Sequence, residues 1–223
     1  MVKIWHTSDT HTKHRELKVP PKVDLVIHSG DFSDSANVAI NYNQSVDFLD
    51  WFSKLECEKV LVGGNHDLAL ESGMITKKQL ADLGIHYLEN SFVELNGLKI
   101  YGSPVTPSFG RGWAWNVARH KTHYVWDQIP NDIDILVTHG PPLSILDLTL
   151  NKEYDQAGCR SLRTKVLDLA NRSLKLHCFG HIHNSTDVYN AGVFRFNNAM
   201  FSNASAVEDK TMNLIHHGNL FII

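Results

Sequence analysis

Five short stretches of the chain carry carboxylate, amide and imidazole side chains directly after apolar, strand-like runs. They are Asp9-Thr10-His11, Gly30-Asp31, Gly64-Asn65-His66-Asp67, His139-Gly140 and Gly180-His181-Ile182-His183. Oxygen ligands mixed with imidazole suit divalent ions such as Mn, Fe, Zn or Ni. No cysteine lies in these stretches, so a structural zinc site built on thiolates is not expected. The five stretches together predict a metal site, provided that the strand ends meet.

The spacing within two of these stretches favours convergence on one centre. Asp9 and His11 stand at i and i+2, as do His181 and His183, and such residues project to the same side of an extended segment. Glycines such as Gly180 let the backbone turn sharply and let neighbouring loops approach closely. Each stretch taken singly is equally consistent with a turn, a cap or a polar core contact. Their shared position at strand ends favours a common function.

The elements that must position these residues form an alternating pattern. Strand-like runs lie at 2–11, 23–31, 59–67, 134–142 and 174–183, and helical patterns lie at 45–55, 76–84 and 161–171. Asn96-Gly97 and Gly218-Asn219 each predict a hairpin turn, and hence some antiparallel pairing. Alternating strands and helices predict parallel β-α units, whose ligands collect at the carboxyl ends of the strands. We therefore expect residues 1–223 to form a single α/β domain with mixed sheets.

Composition excludes several classes of protein. A net charge of −3 over 223 residues gives no overall positive field for nucleic acid or an anionic membrane, although a local basic groove stays open. No apolar run approaches the roughly 18 residues that span a bilayer, and the N-terminus lacks a signal-peptide layout. Three scattered cysteines argue against a disulfide framework. The sequence thus predicts a cytoplasmic protein without a membrane partner.

The ordered motifs D-x-H, G-D, G-N-H-D, H and G-H-x-H resemble those of the calcineurin-like metallophosphoesterase family. The segments "IYGSPVTPSFGRGWAWN", "DILVTHGPPL" and "LHCFGHIH" are similar to one branch, the small metallophosphoesterase-domain proteins related to class III cyclic-nucleotide phosphodiesterases. The resemblance covers nearly the whole chain and implies a four-layer α-β-β-α sandwich of two mixed sheets. Some animal members of the branch have Gly at the position of His181. The complete motif here implies a competent two-metal centre.

The resemblance also assigns metal-binding roles to seven residues. It implies that one ion is held by Asp9, His11, Asp31 and His183, and a second by Asp31, Asn65, His139 and His181. Asp31 then bridges two divalent ions, with Mn²⁺ favoured and Fe, Zn or Ni as alternatives. A hydroxide shared by the two ions would attack phosphorus.

Three further residues are candidates for acid–base work and one for packing. His66 is predicted to stabilise or protonate the leaving oxygen, with a supporting hydrogen bond as the alternative, and Asp67 is predicted to orient the His66 ring. Asp34 either steadies His66 or caps the following helix. His28, inside an apolar run, is expected to be a core histidine.

The substrate side of the site is less defined. Residues 106–126 gather five aromatic side chains with two arginines, which either stack on a base and reach a phosphate or pack the loop against the sheet. Arg111 is the candidate substrate-binding residue. The expected activity is metal-dependent hydrolysis of small phosphodiesters, including cyclic nucleotides. The alternatives are a nuclease of the same chemistry, which the charge does not favour, and a non-catalytic metal-binding scaffold. The oligomeric state stays open.

Overall fold

The computed structural model describes residues 1–150 and 155–223, which form fifteen strands, five α-helices and two 3₁₀ helices. The strands are β1 Lys3–Thr7, β2 Leu25–His28, β3 Glu58–Leu61, β4 His86–Tyr87, β5 Ser91–Leu95, β6 Leu98–Ser103, β7 Thr106–Pro107, β8 Asn116–Val117, β9 Ile135–Thr138, β10 Leu148–Thr149, β11 Asp155–Gln156, β12 Leu176–Phe179, β13 Gly192–Phe196, β14 Ala199–Asn203 and β15 Asn219–Ile222. The α-helices are α1 Val38–Ser53, α2 Leu68–Glu71, α3 Lys77–Asp82, α4 His123–Trp126 and α5 Arg160–Ala170, and the 3₁₀ helices are His14–Glu16 and Arg119–Lys121.

Most strands belong to two mixed sheets. The first has the order β15-β1-β2-β3-β4, in which β1 to β4 are parallel and β15 runs antiparallel to β1. The second has the order β13-β14-β12-β9-β6-β5, with a parallel centre and an antiparallel hairpin at each edge. Five of the parallel strands, β1, β2, β3, β9 and β12, are the apolar runs that precede the five polar stretches.

Alternation along the strands divides the core into three layers of side chains. On β1, Ile4 packs between the two sheets, whereas Trp5 packs against the helices outside the first sheet. On β9, Ile135 likewise faces the space between the sheets and Leu136 faces the helices outside the second sheet. Side chains with a period of two therefore bury both faces of each sheet. The result is the predicted four-layer α-β-β-α sandwich.

The predicted helices are present with shifted boundaries. The helix expected at 45–55 is α1, which begins at Val38 after the Asn37 cap and ends at Ser53. The other two are α3, where Thr76 and Gln79 form a capping box, and α5. Within the described residues, none of the helices is long and apolar enough to cross a bilayer.

One of the two predicted hairpins is wrong. Asn96 and Gly97, both with positive φ, turn β5 into its antiparallel partner β6 as expected. Gly218 also has positive φ, but the strand after it pairs with β1 in the register Lys3 to Ile222. The hairpin predicted at Gly218 is therefore absent, because the partner of β15 is β1.

Candidate metal centre

The carboxyl ends of five parallel strands from both sheets meet at one place. Asp9 and His11 follow β1, Asp31 follows β2, and Asn65 with His66 follows β3, all in the first sheet. The second sheet contributes His139 after β9, and His181 with His183 after β12. The structure thus brings together all seven predicted metal ligands and His66, at an edge where the two sheets face each other.

Close approach of the loops requires glycine at two positions. A Cβ atom on Gly64 would lie 2.7 Å from Cε1 of His139 and would also collide with the Asp31 carboxylate. A Cβ atom on Gly180 would collide with the Asp9 carboxylate. Asp9, Asp31 and His181 adopt positive φ, a sparsely populated conformation for residues with a Cβ. Strain of this kind concentrates at functional sites, where the surrounding structure enforces it.

Asp9, His11 and His183 form the first group of potential ligands, with ligand atoms all within 4.8 Å of one another. Nε2 of His183 lies 3.2 Å from Oδ1 of Asp9 and 3.3 Å from Nε2 of His11. Two ring nitrogens and a carboxylate oxygen that point at one another can all donate electron pairs to a shared cation.

Asp31, His139 and His181 form a second such group, and Asn65 lies beside it. Nδ1 of His139 lies 2.9 Å from the carbonyl oxygen of Ser29, which can only accept, so Nδ1 carries a proton. Nε2 of His139 faces Oδ1 of Asn65 at 2.9 Å and Oδ2 of Asp31 at 3.2 Å. Both oxygens are acceptors, so the arrangement needs either a second proton on the ring or a cation.

Asp31 connects the two groups, because one of its carboxylate oxygens also lies 3.9 Å from Nε2 of His11. Asp31 also shares a further group of potential ligands with His11 and His66. Carboxylate, amide and imidazole donors, with no thiolate among them, are a ligand set that intermediate divalent ions accept. The residues present therefore fit a pair of divalent cations.

The ionisation of these groups follows from burial and mutual charge. Burial would lower the pKa of His139, but the Asp31 carboxylate outweighs it and raises that pKa to about 9. Burial, reinforced by the charge on His139, lowers the pKa of His181 to about 3. Burial would raise the pKa of both Asp9 and Asp31, yet the neighbouring histidines hold both below the usual range. The carboxylates are thus ionised and His181 is neutral, as metal ligation requires.

His66 lies at the open side of the centre, with its side chain 22% exposed. Its Nδ1 donates to the carbonyl oxygen of Asp34 at 3.1 Å, so Nε2 is the nitrogen free to face the substrate. His66 also shares a potential ligand group with His11 and Asp31. Its role as proton donor stays a prediction.

The predicted partner of His66 is wrong. The Asp67 carboxylate accepts hydrogen bonds from Ser33, from the amide of Gly64 and from that of Asp31, and thereby holds the loops that carry the ligands. The residue that contacts His66 is Asp34, whose carbonyl oxygen accepts from Nδ1 of His66 at 3.1 Å and whose carboxylate lies 3.2 Å from Nδ1 of His11. The cap of α1 is Asn37, which excludes the alternative role for Asp34.

Two residues at the carboxyl end of β14 complete the support of the centre. Ser205 Oγ donates to Oδ2 of Asp9 at 3.0 Å, and Nδ2 of Asn203 donates to the carbonyl oxygen of Ile182 at 3.0 Å. Ser205 was missed in the sequence analysis. β14 is parallel to β12, so the rule that ligands gather at carboxyl strand ends would have found it. His28 is buried beside Phe48, as predicted for a core histidine.

Some aromatic side chains of residues 106–126 pack in the core, and others lie beside the metal centre. Trp126 is buried, and the Trp115 ring packs against Gly63. Phe109 and Trp113, 47% and 37% exposed, flank the centre: the Phe109 ring lies 5.0 Å from that of His181, and the Trp113 ring 4.7 Å from that of His66. Arg111 lies on the exposed turn between them, and its substrate role stays a prediction.

Comparisons with known proteins agree with this geometry. The model of the calcineurin-like phosphoesterase family matches residues 2–185. Probable rhamnogalacturonate lyase C of Emericella nidulans is 35% identical over 193 residues, which are 82% of this chain and 17% of that protein. Metallophosphoesterase domain-containing protein 1 of Homo sapiens is 31% identical over 218 residues, 86% of this chain and 64% of that protein. The chain thus spans less than two thirds of either relative.

The fold is also found among solved structures. One of them superposes with a TM-score of 0.63 at 12% sequence identity, and the match covers 90% of this chain and 89% of that chain. At this identity the similarity concerns the fold alone.

Proposed function

The chain belongs to the calcineurin-like phosphoesterase family, and from this premise we propose that it is a phosphodiesterase that depends on two divalent metal ions. Membership of the family indicates hydrolysis of phosphoesters. We propose small phosphodiesters as the substrates, with cyclic nucleotides as one class to test.

A single observation carries the proposal: the Asp31 carboxylate is grouped with His139 and His181, and it also lies 3.9 Å from Nε2 of His11, which belongs to the group of Asp9 and His183. Two cations so placed would supply a Lewis acid for the phosphoryl oxygens and an activated water for attack. Asp9, His11 and His183 with Asp31 would hold one, and Asn65, His139 and His181 with Asp31 the other. Since the proposed metal charge outweighs the two carboxylates, the centre would attract an anionic phosphate although the protein is acidic.

The chain's own groups would act on the leaving side. The Nδ1 atom of His66 is held by the carbonyl oxygen of Asp34, so Nε2 would be the atom that passes a proton to the leaving oxygen.

The positions of Phe109 and Trp113 favour a phosphodiester substrate over a phosphomonoester. A phosphodiester has a second organic substituent, which needs a surface beside the metals. The two exposed rings provide an apolar surface next to His181 and His66. A nucleoside base or another aromatic substituent would stack there.

The test is hydrolysis of bis-p-nitrophenyl phosphate by the protein after chelation and addition of single ions. We propose Mn²⁺ as the best activator, above Mg²⁺, because imidazole ligands suit Mn²⁺ better. Asp31→Asn should bind less than half the metal of the parent and lose activity. Asp132→Asn, which removes one exposed carboxylate far from the centre, is the matched control and should behave as the parent.

Two outcomes would reject the proposal. One is no hydrolysis of any phosphoester by the metal-loaded protein, as expected of a scaffold. The other is full metal content and activity in Asp31→Asn. Faster hydrolysis of p-nitrophenyl phosphate than of the diester would reject the preference for diesters.

The cytoplasmic location is likewise a proposal, which rests on the sparse cysteines.

A further inference from the structure

A cleft of about 610 Å³ beside the metal centre is lined by positively charged and imidazole side chains. They are Arg119, His120, His123 and Arg160, and the described lining residues include no Asp or Glu. The whole chain is acidic, with 24 Asp and Glu against 21 Lys and Arg. A local excess of positive charge in a concave site concentrates anions. We call this site the distal cleft.

The distal cleft is continuous with the metal centre. A smaller cavity of about 180 Å³ is lined by His181 and Phe109, and it shares Pro107, Arg119 and Gly158 with the distal cleft. A ligand at the metals can therefore extend past Phe109 and Arg119 into the cleft.

Arg119 is fixed at the junction of the two cavities. Its guanidinium donates to the carbonyl oxygens of Ala157 at 3.2 Å and Gly158 at 3.4 Å. These contacts use part of the guanidinium's five N–H donors and leave others for a ligand.

Arg160 stands at the amino end of a helix, where an anion is favoured. It is the first residue of α5, whose first turn contains no acidic side chain. The amino end of a helix carries a partial positive charge, which repels a cation there and attracts an anion. Ser161, also in the first turn, lines the cleft as well. Arginine, unlike an ammonium group, can bind a phosphate through two parallel hydrogen bonds.

We propose that the distal cleft binds a second phosphate group of the substrate, carried on the part of the molecule that extends away from the metals. This inference rests on the proposed function and specifies its substrate class: small phosphodiesters that carry an additional phosphate monoester. Arg119 and Arg160 are the residues that would discriminate them from diesters without one.

Binding is tested on the full chain loaded with Zn²⁺, by titration of inorganic phosphate followed by amide NMR. Amides of residues 160–162 should shift, with an affinity at least tenfold weaker in Arg160→Gln. Arg172→Gln, which removes a charge beyond the opposite end of α5, is the matched control and should titrate as the parent. Shifts confined to the metal centre, or equal affinities in Arg160→Gln and the parent, would overturn the anion site.

Substrate selection is tested with thymidine 5′-(p-nitrophenyl phosphate) and its 3′-phosphorylated counterpart. The 3′-phosphate should raise kcat/KM at least tenfold in the parent and in Arg172→Gln, and less than threefold in Arg160→Gln. Hydrolysis of both compounds at equal rates would overturn the inference and leave the proposed function standing. Hydrolysis of neither would reject the proposed function, while the phosphate titration would still decide whether the cleft binds anions.

Discussion

His66 lies at the open side of the centre, where its side chain is 22% exposed and its Nδ1 is held by the carbonyl oxygen of Asp34. Replacement by Asn removes the proton donor but retains a polar group. We expect kcat for alkyl phosphodiesters to fall by about 10²–10⁴-fold. The loss should be much smaller for p-nitrophenyl esters, because p-nitrophenolate leaves without a proton. Turnover of the two ester types gives the measurement.

Metal content distinguishes this role from ligation. His66→Asn should retain two ions per chain, as should the control His86→Asn, which alters a histidine that pairs with Glu58. A loss of one ion in His66→Asn would make His66 a ligand, in line with its position near His11 and Asp31.

His139 makes metal affinity depend on pH. Its pKa is raised to about 9 in the metal-free site, so the ring is protonated at neutral pH and an incoming ion must displace that proton. Affinity should therefore fall as pH falls, by roughly tenfold for each pH unit between about 7 and 9, and level off above. Calorimetry in buffers of different ionisation enthalpy should show release of at least one proton. A constant affinity over this range would contradict the assignment.

Residue types and their order sufficed to predict which side chains meet, but not how each one points. Asn65, His66 and Asp67 are consecutive, yet their side chains point in three directions. Asn65 faces His139, His66 lies at the opening, and Asp67 accepts hydrogen bonds from Ser33 and Gly64. Directions in a tight turn depend on backbone dihedrals that residue types leave open. The prediction for Asp67 failed for this reason, and the contact of Asp34 with His66 was only one of two open alternatives.

The backbone of the loop after β12, residues 180–183, determines how closely His181 and His183 approach Asp9. Gly180 does not need positive φ, but a methyl group there would collide with the Asp9 carboxylate. Gly180→Ala should displace Asp9, weaken metal binding at least tenfold and cost about 1–3 kcal/mol of stability through overpacking. Metal titration and denaturant unfolding measure the two effects.

Gly73→Ala is the matched control for backbone strain. Gly73 has a φ of +77°, and among the described residues no atom outside Gly73 and its two chain neighbours lies within 4 Å of the position that a methyl group would take. Alanine there therefore strains the turn without touching the centre. We expect a loss of about 1 kcal/mol with unchanged metal affinity. If Gly180→Ala likewise bound metal as the parent does, close approach to Asp9 would not be essential.

Helices and strands were predicted correctly where apolar residues recur with a clear period. The predictions failed where that period is absent or where a strand pairs with one far away in the sequence. The first turns of α1 expose Val38 and Ile40, so no apolar face indicates that the helix begins there. The partner of β15 is β1, the first strand of the chain. Residues near β15 in the sequence cannot indicate a partner that lies so far away along the chain. In contrast, the Asn96-Gly97 turn was predicted correctly, because the residues of a two-residue hairpin turn determine its geometry locally.

At the scale of the molecule, the centre joins two sheets whose facing side chains are mostly apolar. Asp9, Asp31 and Asn65 come from the first sheet, whereas His139 and His181 come from the second. The layer between the sheets is built largely from residues such as Ile4, Ile27 and Ile135, which give no directional contact. Bound cations would add bonds that cross this layer.

Metal binding should therefore stabilise both sheets together. An ion that binds only the folded chain contributes about 2.7 kcal/mol at a free concentration 100 times its Kd, which for a chain of this size raises Tm by roughly 5–10 °C. Asp31→Asn should lose the shift, and Asp132→Asn should keep it. Amide hydrogen exchange should slow in β2 and β9 alike, because His139 and Asp31 would be tied to the same ion. Slower exchange in one sheet alone would mean that the ligands of the other sheet do not hold the metal.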